Sequence, residues 1–548
     1  MQNNFKVIAL GGLGENGKNT YIVETENDIV IIDAGLSNYS NKQLGIDFIL
    51  PDYSYLEQNI DKVRGILISH GHLDQMGALA HILNVVDVPV YGSNYTVSFL
   101  KGYIPKSKHK LLKEIKYNSP LKLGNFKIEC FRLSHAIFGN LGFLIANDKD
   151  AIVYTIDYNF DQMATEYART DIKKIVLLAN KYNIKALMTE TLAIEERGSA
   201  GSSQDHVLHL SRYMKSATGR MIISIYSSNL AGMRNIIDLA AKNEKKIVII
   251  GRDLLTYVNV AKEFGYIEHV KDLFVRIQDI SKYADNDLMI VIAGIYEDPF
   301  VELEKMAKGI HNIIKLKDTD NVLIASKPYD ETEAYAQKVL DLVSLTGATI
   351  SEQKINTASH AHEEDVKMMI NLFEPEYIIP IKGEYRKFVH LKTIANKLGY
   401  TDECVKIIKN GDVLELVEKG AYISKTIKIP DQLINIKGKE KTNPIILKDR
   451  EILSENGYIL VIMTFYKGTS KIVQAPELVS GGLLTIDENP AIREGCMKIV
   501  MREIENASDS RELVNKIKNK MGRYLNTKLG KVPMVLPIRI EVDKKKVK

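Results

Sequence analysis

At 548 residues the chain is too long for one ordinary hydrophobic core and predicts two or three domains, while a formal net charge of +4 is too small to identify a nucleic-acid partner by itself. No apolar stretch reaches transmembrane length and no charged-then-apolar signal segment opens the chain, so a cytoplasmic protein without a membrane partner is expected. Cys130, Cys404 and Cys496 are odd in number and widely spaced, which indicates neither a disulfide framework nor a cysteine-rich zinc site; buried apolar roles are expected for them.

In chain order, the strand-like run Lys6 to Leu10 leads into Gly12-Leu13-Gly14-Glu15-Asn16-Gly17. That stretch satisfies G-x-G-x-x-G, but a dinucleotide site demands a helix next and none is visible. Asn19 to Glu24 and Asp28 to Ile32 read instead as a β-hairpin that delivers Asp33-Ala34-Gly35. The apolar run Gly65 to Ile68 then opens onto Ser69-His70-Gly71-His72-Leu73-Asp74-Gln75-Met76-Gly77, followed by a helical pattern from Gln75 to Leu83. One histidine there would read as a polar cap on a strand end. Two, with an acid two residues further on, have the spacing of metal ligands. Lys101, Lys106, Lys108, Lys110, Lys113 and Lys116 cluster next, and both a solvated face and a nucleic-acid contact remain open for them.

Lys127 to Leu133 reads as a strand delivering Ser134-His135, and Ala151 to Thr155 as another delivering Ile156-Asp157-Tyr158. Ligand-type residues thus recur just past strand ends, where α/β layers build sites from loops. His70, His72 and His135 offer three imidazole nitrogens and Asp157 a carboxylate oxygen, a set that suits Zn2+ with room for a water, with Mn2+ or Mg2+ as alternatives. Beyond Asp157, strand-like Ala186 to Thr189, Met221 to Ile225, Lys246 to Ile250, Met289 to Ala293 and Val322 to Ser326 alternate with helical patterns such as Met233 to Lys242 and Glu331 to Leu345, implying an inserted parallel α/β block. Phe388 to Leu398 is helical, and Val405 to Leu416 returns to the first domain. Lys428 to Asn443 reads as a linker, and Ile445 to Val542 as a small α+β domain with strands Tyr458 to Phe465 and Val535 to Val542 around helices Ala491 to Ile504 and Arg511 to Leu525. Asp543 to Lys548 reads as a disordered lysine-rich tail.

The loop at His70 resembles the His-x-His-x-Asp-His signature of the metallo-β-lactamase fold, with Gln75 where the last histidine belongs. Gly-Gly-Leu-Gly-Glu-Asn-Gly-Lys-Asn, then Ile-Asp-Ala-Gly, then Leu44-Gly45-Ile46-Asp47-Phe48-Ile49-Leu50-Pro51-Asp52, resembles the opening of the ribonuclease J family in order. Ala475 to Gly482 and Val532 to Pro537 resemble that family's C-terminal domain. The resemblance implies an αββα metallo-β-lactamase sandwich in two parts (1–202 and 381–427), an inserted β-CASP domain (203–380), a linker (428–444) and a C-terminal oligomerisation-type domain (445–548).

In such relatives a second metal is held by the acid matching Asp74, a histidine where this chain has Gln75, the bridging acid matching Asp157, and a histidine where Pro380-Ile381-Lys382-Gly383-Glu384-Tyr385 carries Lys382. A charged ammonium has no lone pair and repels a cation. Lys382 is therefore expected to occupy the second metal's place, paired with Asp74 and Asp157, and to screen a substrate phosphate; the other reading turns it to solvent. Glu190, in Thr189-Glu190-Thr191, matches a strand-terminal acid that supports the site, though it could equally cap the segment that follows. The inserted-domain motifs are worn: Ser228-Asn229-Leu230-Ala231-Gly232, Gly294-Ile295-Tyr296-Glu297-Asp298-Pro299, and Asn356-Thr357-Ala358-Ser359-His360-Ala361, whose counterpart contacts RNA. By position His360 would be a general acid. The resemblance implies RNA processing and decay by 5′-3′ exonuclease and endonuclease cleavage, weakened here, with Asp74, Asp157 and His360 as catalytic residues. A non-catalytic RNA-binding subunit of an active paralogue is the alternative. Either a homo-oligomer, dimer or tetramer, or a mixed complex with that paralogue is implied.

Overall fold

Near-continuous apolar runs make the central strands of the first part buried on both faces, and the inner faces of two sheets close on each other there. The computed structural model describes residues 4–38, 45–148, 150–268, 272–295, 297–328, 332–351, 359–435, 440–441, 444–482, 489–506 and 510–543. The chain divides into two units, Met1–Asn38 with Ile49–Asp431, and Tyr39–Phe48 with Gln432–Lys548.

In the first unit an eight-stranded sheet runs in the order Gly420–Thr426, Asp412–Val417, Phe5–Gly11, Thr20–Glu24, Ile29–Ile32, Val63–Leu67, Val90–Gly92, Leu112–Glu114. A six-stranded sheet runs Tyr377–Ile381, Asn183–Glu190, Asp150–Thr155, Leu141–Asn147, Phe126–Arg132, Leu121–Leu123. Val7, Tyr21, Val23 and Val30 from the first meet Ile128, Phe143, Ile152, Tyr154 and Met188 from the second in one core. The outer face of the six-stranded sheet is covered by the helices Ile172–Lys181, Glu363–Phe373 and Tyr385–Lys397 through Ile175, Leu178, Val366, Met369, Leu391 and Ile394. This is the metallo-β-lactamase sandwich. Asp412–Val417 pairs antiparallel with Phe5–Gly11, Leu414 opposite Val7, so the late return of the chain to its first domain is built into the sheet.

The inserted domain has five parallel strands in the order Lys246–Ile250, Leu288–Gly294, Met221–Tyr226, Asn321–Ile324, Thr349–Ser351. Its strands read as continuous apolar runs because helices cover a parallel sheet on both faces. Ala186 to Thr189 does not belong to this sheet. It lies in Asn183–Glu190, between Asp150–Thr155 and Tyr377–Ile381 and parallel to both. The stretch 363–380, grouped with the insertion from sequence, packs on the first domain, because Val366, Met369, Ile370 and Phe373 present an apolar stripe to its outer face.

Two smaller differences have local causes. The helical pattern from Gln75 to Leu83 forms two single turns, Leu73–Met76 and Leu79–Ile82, since the Ala78 N–H leaves the helix to donate to the Ala34 carbonyl (2.8 Å). The stretch read as a linker contains the paired strands Gln432–Asn435 and Glu440–Lys441, with 436–439 and 442–443 outside the described residues. In the second unit, Tyr458–Tyr466 lies between Glu477–Gly481 and Met534–Val542. Its alternate residues Ile459, Val461, Met463 and Phe465 pack on Val500, Ile517, Met521 and Leu525 of the helices Pro490–Asn506 and Ser510–Leu529. Cys130 and Cys496 are buried and Cys404 is half-exposed, all three as free thiols. Among the described residues no helix is long and apolar enough to cross a membrane. Of the expected tail, 544–548 lies outside the described residues.

Candidate metal centre

Five side chains arrive from strand ends on one edge of the sandwich. His70 follows Val63–Leu67, His135 follows Phe126–Arg132, Asp157 follows Asp150–Thr155, Glu190 closes Asn183–Glu190, and Lys382 follows Tyr377–Ile381. Asp157 Oδ2 stands 3.2 Å from His70 Nε2, 3.8 Å from His135 Nε2 and 4.0 Å from His72 Nδ1. His135 Nε2 and His72 Nδ1 are 3.2 Å apart. These four ligand atoms lie within 4.8 Å of one another, an arrangement that fits a divalent metal ion.

The surroundings prepare the nitrogens for that task. His135 Nδ1 donates to the Ser359 carbonyl (2.7 Å), which leaves the Nε2 lone pair facing the cluster. Ser69 Oγ donates to Asp33 Oδ2 (2.9 Å) and so accepts from His70 Nδ1 (3.0 Å), which frees His70 Nε2 in the same way. That Nε2 is buried and makes no well-aligned hydrogen bond of its own. Burial pushes His70 down to about 4 and, with the neighbouring His72 and His70 rings, holds His135 well below the ordinary histidine range. Both are therefore neutral near pH 7, the form that ligates a metal.

Asp157 holds its place at a strained backbone angle, φ +50°. Asn140 Nδ2 donates to its carbonyl (2.6 Å), and the Tyr158 N–H donates to Glu190 Oε1 (2.7 Å). Glu190 Oε1 also accepts from the Ala361 N–H (3.3 Å), while Oε2 meets His360 Nδ1 at 2.8 Å. Glu190 thus ties the Asp157 loop to the His360 loop. His360 Nδ1 lies 3.4 Å from Asp157 Oδ1, and its side chain is 25% exposed. Burial opposes its charge, but Glu190 and Asp157 outweigh burial and raise it to about 9. Asn356, Thr357 and Ala358, expected to contact substrate, lie outside the described residues; Ser359 acts through its carbonyl on His135.

The neighbouring position belongs to Lys382, which does not turn to solvent. Its Nζ is 2.5 and 2.6 Å from the two Asp157 oxygens and 2.8 Å from Asp74 Oδ2, and the residue is 2% exposed. Burial disfavours the ammonium, yet Asp157 and Asp74 keep it protonated far above neutrality. Asp74 itself is lowered, Lys382 outweighing the cost of burial. Asp74 stands outside the four-atom cluster and accepts from Gln75 Nε2 (2.9 Å) and Asn19 Nδ2 (3.2 Å) as well. The Gly-rich loop supplies the cradle: Lys382 N–H donates to the Gly12 carbonyl (2.9 Å) and Gly383 N–H to the Glu15 carbonyl (3.0 Å). The worn Ser228-Asn229-Leu230-Ala231 stretch reaches the same region, its Ala231 N–H donating to the Ala136 carbonyl (2.9 Å) beside His135.

Sequence reasoning gave Asp33 no role. It is fully buried and accepts from the Ser69 N–H (2.7 Å), Ser69 Oγ (2.9 Å) and Tyr154 OH (2.6 Å), so it fixes the residue next to His70. Its place at the end of Ile29–Ile32 was the available signal: an acid leaving a central strand, as at Asp157.

Comparison with known proteins agrees with this architecture. Family models match for the metallo-beta-lactamase superfamily (residues 13–124), the ribonuclease J beta-CASP domain (218–343), a Zn-dependent metallo-hydrolase RNA specificity domain (353–404) and the ribonuclease J C-terminal domain (445–542). Ribonuclease J2 of Bacillus subtilis (strain 168) is 31% identical over 98% of this chain and 99% of its own. Ribonuclease J 2 of Staphylococcus aureus (strain NCTC 8325 / PS 47) is 30% identical over 98% of each chain, and that of Streptococcus pyogenes serotype M3 is 29% identical over 98% of this chain and 99% of its own. A solved structure of a protein of unknown function from Enterococcus faecalis V583 shares the fold at TM-score 0.52 and 15% identity, covering 76% of this chain and all of that one. With a relative more than 30% identical from end to end, and a four-ligand cluster at the carboxyl ends of its sandwich strands, the chain belongs to the ribonuclease J family.

Proposed function

We propose that the protein hydrolyses RNA phosphodiester bonds at a site holding one divalent ion, zinc, on His70, His72, His135 and Asp157. The observation that carries this is the convergence of three imidazoles on one carboxylate oxygen, two of them, His70 and His135, buried, neutral near pH 7 and held in one tautomer by Ser69 and the Ser359 carbonyl. An ion bound there would acidify water and draw charge from a phosphate oxygen. The chain's own residues supply the rest. Asp157 Oδ2, aimed into the cluster, orients the attacking water, and His360, charged near neutrality, gives a proton to the leaving oxygen or binds phosphate. Glu190 positions His360. Lys382 contributes fixed positive charge to Asp74 and Asp157, but it cannot acidify a second water or ligate the leaving oxygen. Transition-state charge is thus less well stabilised than with two ions, and turnover is slow. The resemblance of its motifs to the ribonuclease J family further implies 5′-3′ exonucleolytic and internal cleavage, in a homo-oligomer or a mixed assembly with an intact paralogue.

The Lys382 clamp also favours a second reading, an RNA-binding subunit without turnover. Metal per chain and decay of 5′-monophosphorylated RNA, measured for the purified protein and for His72→Ala, separate the two. Slow decay lost in His72→Ala supports hydrolysis, and no decay above a chelator-treated control supports the binding role.

A further inference from the structure

The lysine-rich stretch lies outside the metal centre, and its charge is out of proportion to its length. Between Lys101 and Lys122 there are seven lysines and one acid, Glu114, a formal +6, whereas the whole chain carries +4. The remaining residues together are therefore negative. Six of the seven lysines are exposed, and only Lys108, 2.8 Å from Asp87, is ion-paired among the described residues.

The fold spreads these charges along one route. The stretch begins at the end of the helix Asn94–Leu100, passes through the turn Lys106–Leu111 and the edge strand Leu112–Glu114 of the eight-stranded sheet, and ends in Leu121–Leu123, the edge strand of the six-stranded sheet. It therefore crosses the open side of the sandwich from one sheet to the other. Its first end adjoins the metal loop. A Cβ at Gly71, between His70 and His72, would lie 3.1 Å from the Phe99 ring, and Phe99 packs on Tyr103 at 5.0 Å between ring centres. Tyr103 is 40% exposed, at the start of the lysine series. Edge strands often carry lysines to block sheet-to-sheet pairing, but that purpose does not require lysines on the turn, beside an exposed aromatic ring next to the metal loop.

We propose that residues 101–122 form a track for the phosphate backbone of single-stranded RNA, leading away from the metal centre, with Tyr103 as a stacking platform at its head. This rests on the reading of the substrate as RNA. A flexible polyanion is the partner that a row of unpaired ammonium groups fits, and a ring exposed on one side accepts any base. Binding there needs no metal.

The test is fluorescence anisotropy of a labelled 20-nucleotide single-stranded RNA on the full chain from 50 to 300 mM salt, with three variants. The first changes Lys106, Lys110, Lys113 and Lys116 to Gln. The second changes Lys397, Lys409, Lys419 and Lys425 to Gln, exposed lysines that include the opposite edge of the eight-stranded sheet. The third is Tyr103→Ala. Each lysine on the track contributes about 0.7 to the slope of log affinity against log salt, so the first variant loses about 3 in slope and at least about tenfold in affinity near 0.15 M salt. The matched variant keeps the parental slope. Tyr103→Ala weakens binding at unchanged slope, because stacking releases no counterions. Equal losses in both lysine variants, an unchanged slope in the first, or no RNA binding by the parent would overturn the track. So would capture of phosphatidylglycerol vesicles through these lysines with RNA indifferent to them. RNA bound through the track but never hydrolysed by metal-loaded protein would sink the proposed activity and leave the track standing. Hydrolysis with an unchanged slope would do the reverse.

Discussion

Lys382 Nζ meets both carboxylate oxygens of Asp157, at 2.5 and 2.6 Å, and one of these, Oδ2, is the oxygen that stands 3.2 Å from His70 Nε2. One carboxylate is thereby shared between a fixed ammonium and the nitrogens that fit a metal. Asp157 and Asp74 together bring two negative charges to that ammonium, and Asp157 alone faces the imidazoles. The histidines keep one complete ligand set while the neighbouring position is filled by the chain itself.

Restoring imidazoles should reopen that position. Gln75→His with Lys382→His supplies two lone pairs beside Asp74 and Asp157 and removes the repelling charge. Elemental analysis of zinc-loaded protein is expected to rise from one ion per chain to two. RNA hydrolysis should increase by on the order of a hundredfold, the scale of one added transition-state charge contact. One ion per chain in the double variant would show that Lys382 does not hold the place of a second.

Removing the ammonium alone should make stability depend on metal. Lys382→Met leaves Asp157 and Asp74 buried or half-buried together without their cation, and breaking a buried pair in this way costs about 3–5 kcal/mol. In chelator the variant's thermal midpoint should fall clearly below the parent's, and saturating zinc should recover more of the loss than it adds to the parent. Equal midpoints in chelator would mean that the ion pair does not contribute to the fold.

Much of this was legible in the sequence because it rests on strand ends. His70, His72, His135 and Asp157 each follow a short apolar run, and such runs announce themselves by period and length. The pairing of Lys382 with Asp74 and Asp157 followed from the family resemblance, which places all three at the second metal's positions, together with the ammonium's lack of a lone pair. What could not be read is which sheet a strand joins. Ala186 to Thr189 precedes the expected start of the insertion at 203 yet reads like the insertion's buried parallel strands, and its parallel partners on both sides fix it in the sandwich sheet. Asp33 was missed for a related reason: a single acid after a strand carries no spacing, and its value lies in Ser69 and Tyr154, 36 and 121 residues away. The glycine-rich loop misled in pattern only. Its carbonyls at Gly12 and Glu15 hold Lys382 and Gly383, a use that no phosphate-binding motif describes.

Glu190 should govern when His360 loses its proton. In the metal-free protein His360 is raised to about 9 by Glu190 and Asp157 against the effect of burial. A histidine raised in the fold contributes stability fully present below its ordinary value near 6.5 and lost as pH rises through about 9. Glu190→Gln keeps the shape and removes the nearer of the two raising charges, 2.8 Å from His360 Nδ1 against 3.4 Å for Asp157. Side-chain NMR of His360 in the metal-free variant should show its midpoint moved down toward the ordinary range. A midpoint unchanged from the parent would assign the effect to Asp157 alone.

Asp33 should act as a buried acid that titrates near neutrality. Burial raises it to about 7 against three donated hydrogen bonds, from Ser69 N–H, Ser69 Oγ and Tyr154 OH, which pull the other way. Here the carboxyl group binds its proton more tightly folded than unfolded. Its contribution is therefore fully present below the unfolded value near 4 and lost as pH rises through about 7, at up to about 1.4 kcal/mol per pH unit in between. Above about pH 8 the loss is complete and the curve levels. Asp33→Asn cannot ionise, so in chelator its unfolding should be flatter between pH 5 and 7 than the parent's, the two curves running parallel above pH 8. Because Ser69 accepts from His70 Nδ1, the same variant tests whether Asp33 orients that ring. Weaker zinc binding at pH 8, where the two stability curves are parallel, would reflect lost orientation of His70 and not the acid's own titration. Identical pH slopes for parent and variant would show that Asp33 stays ionised throughout, with its three donors outweighing burial.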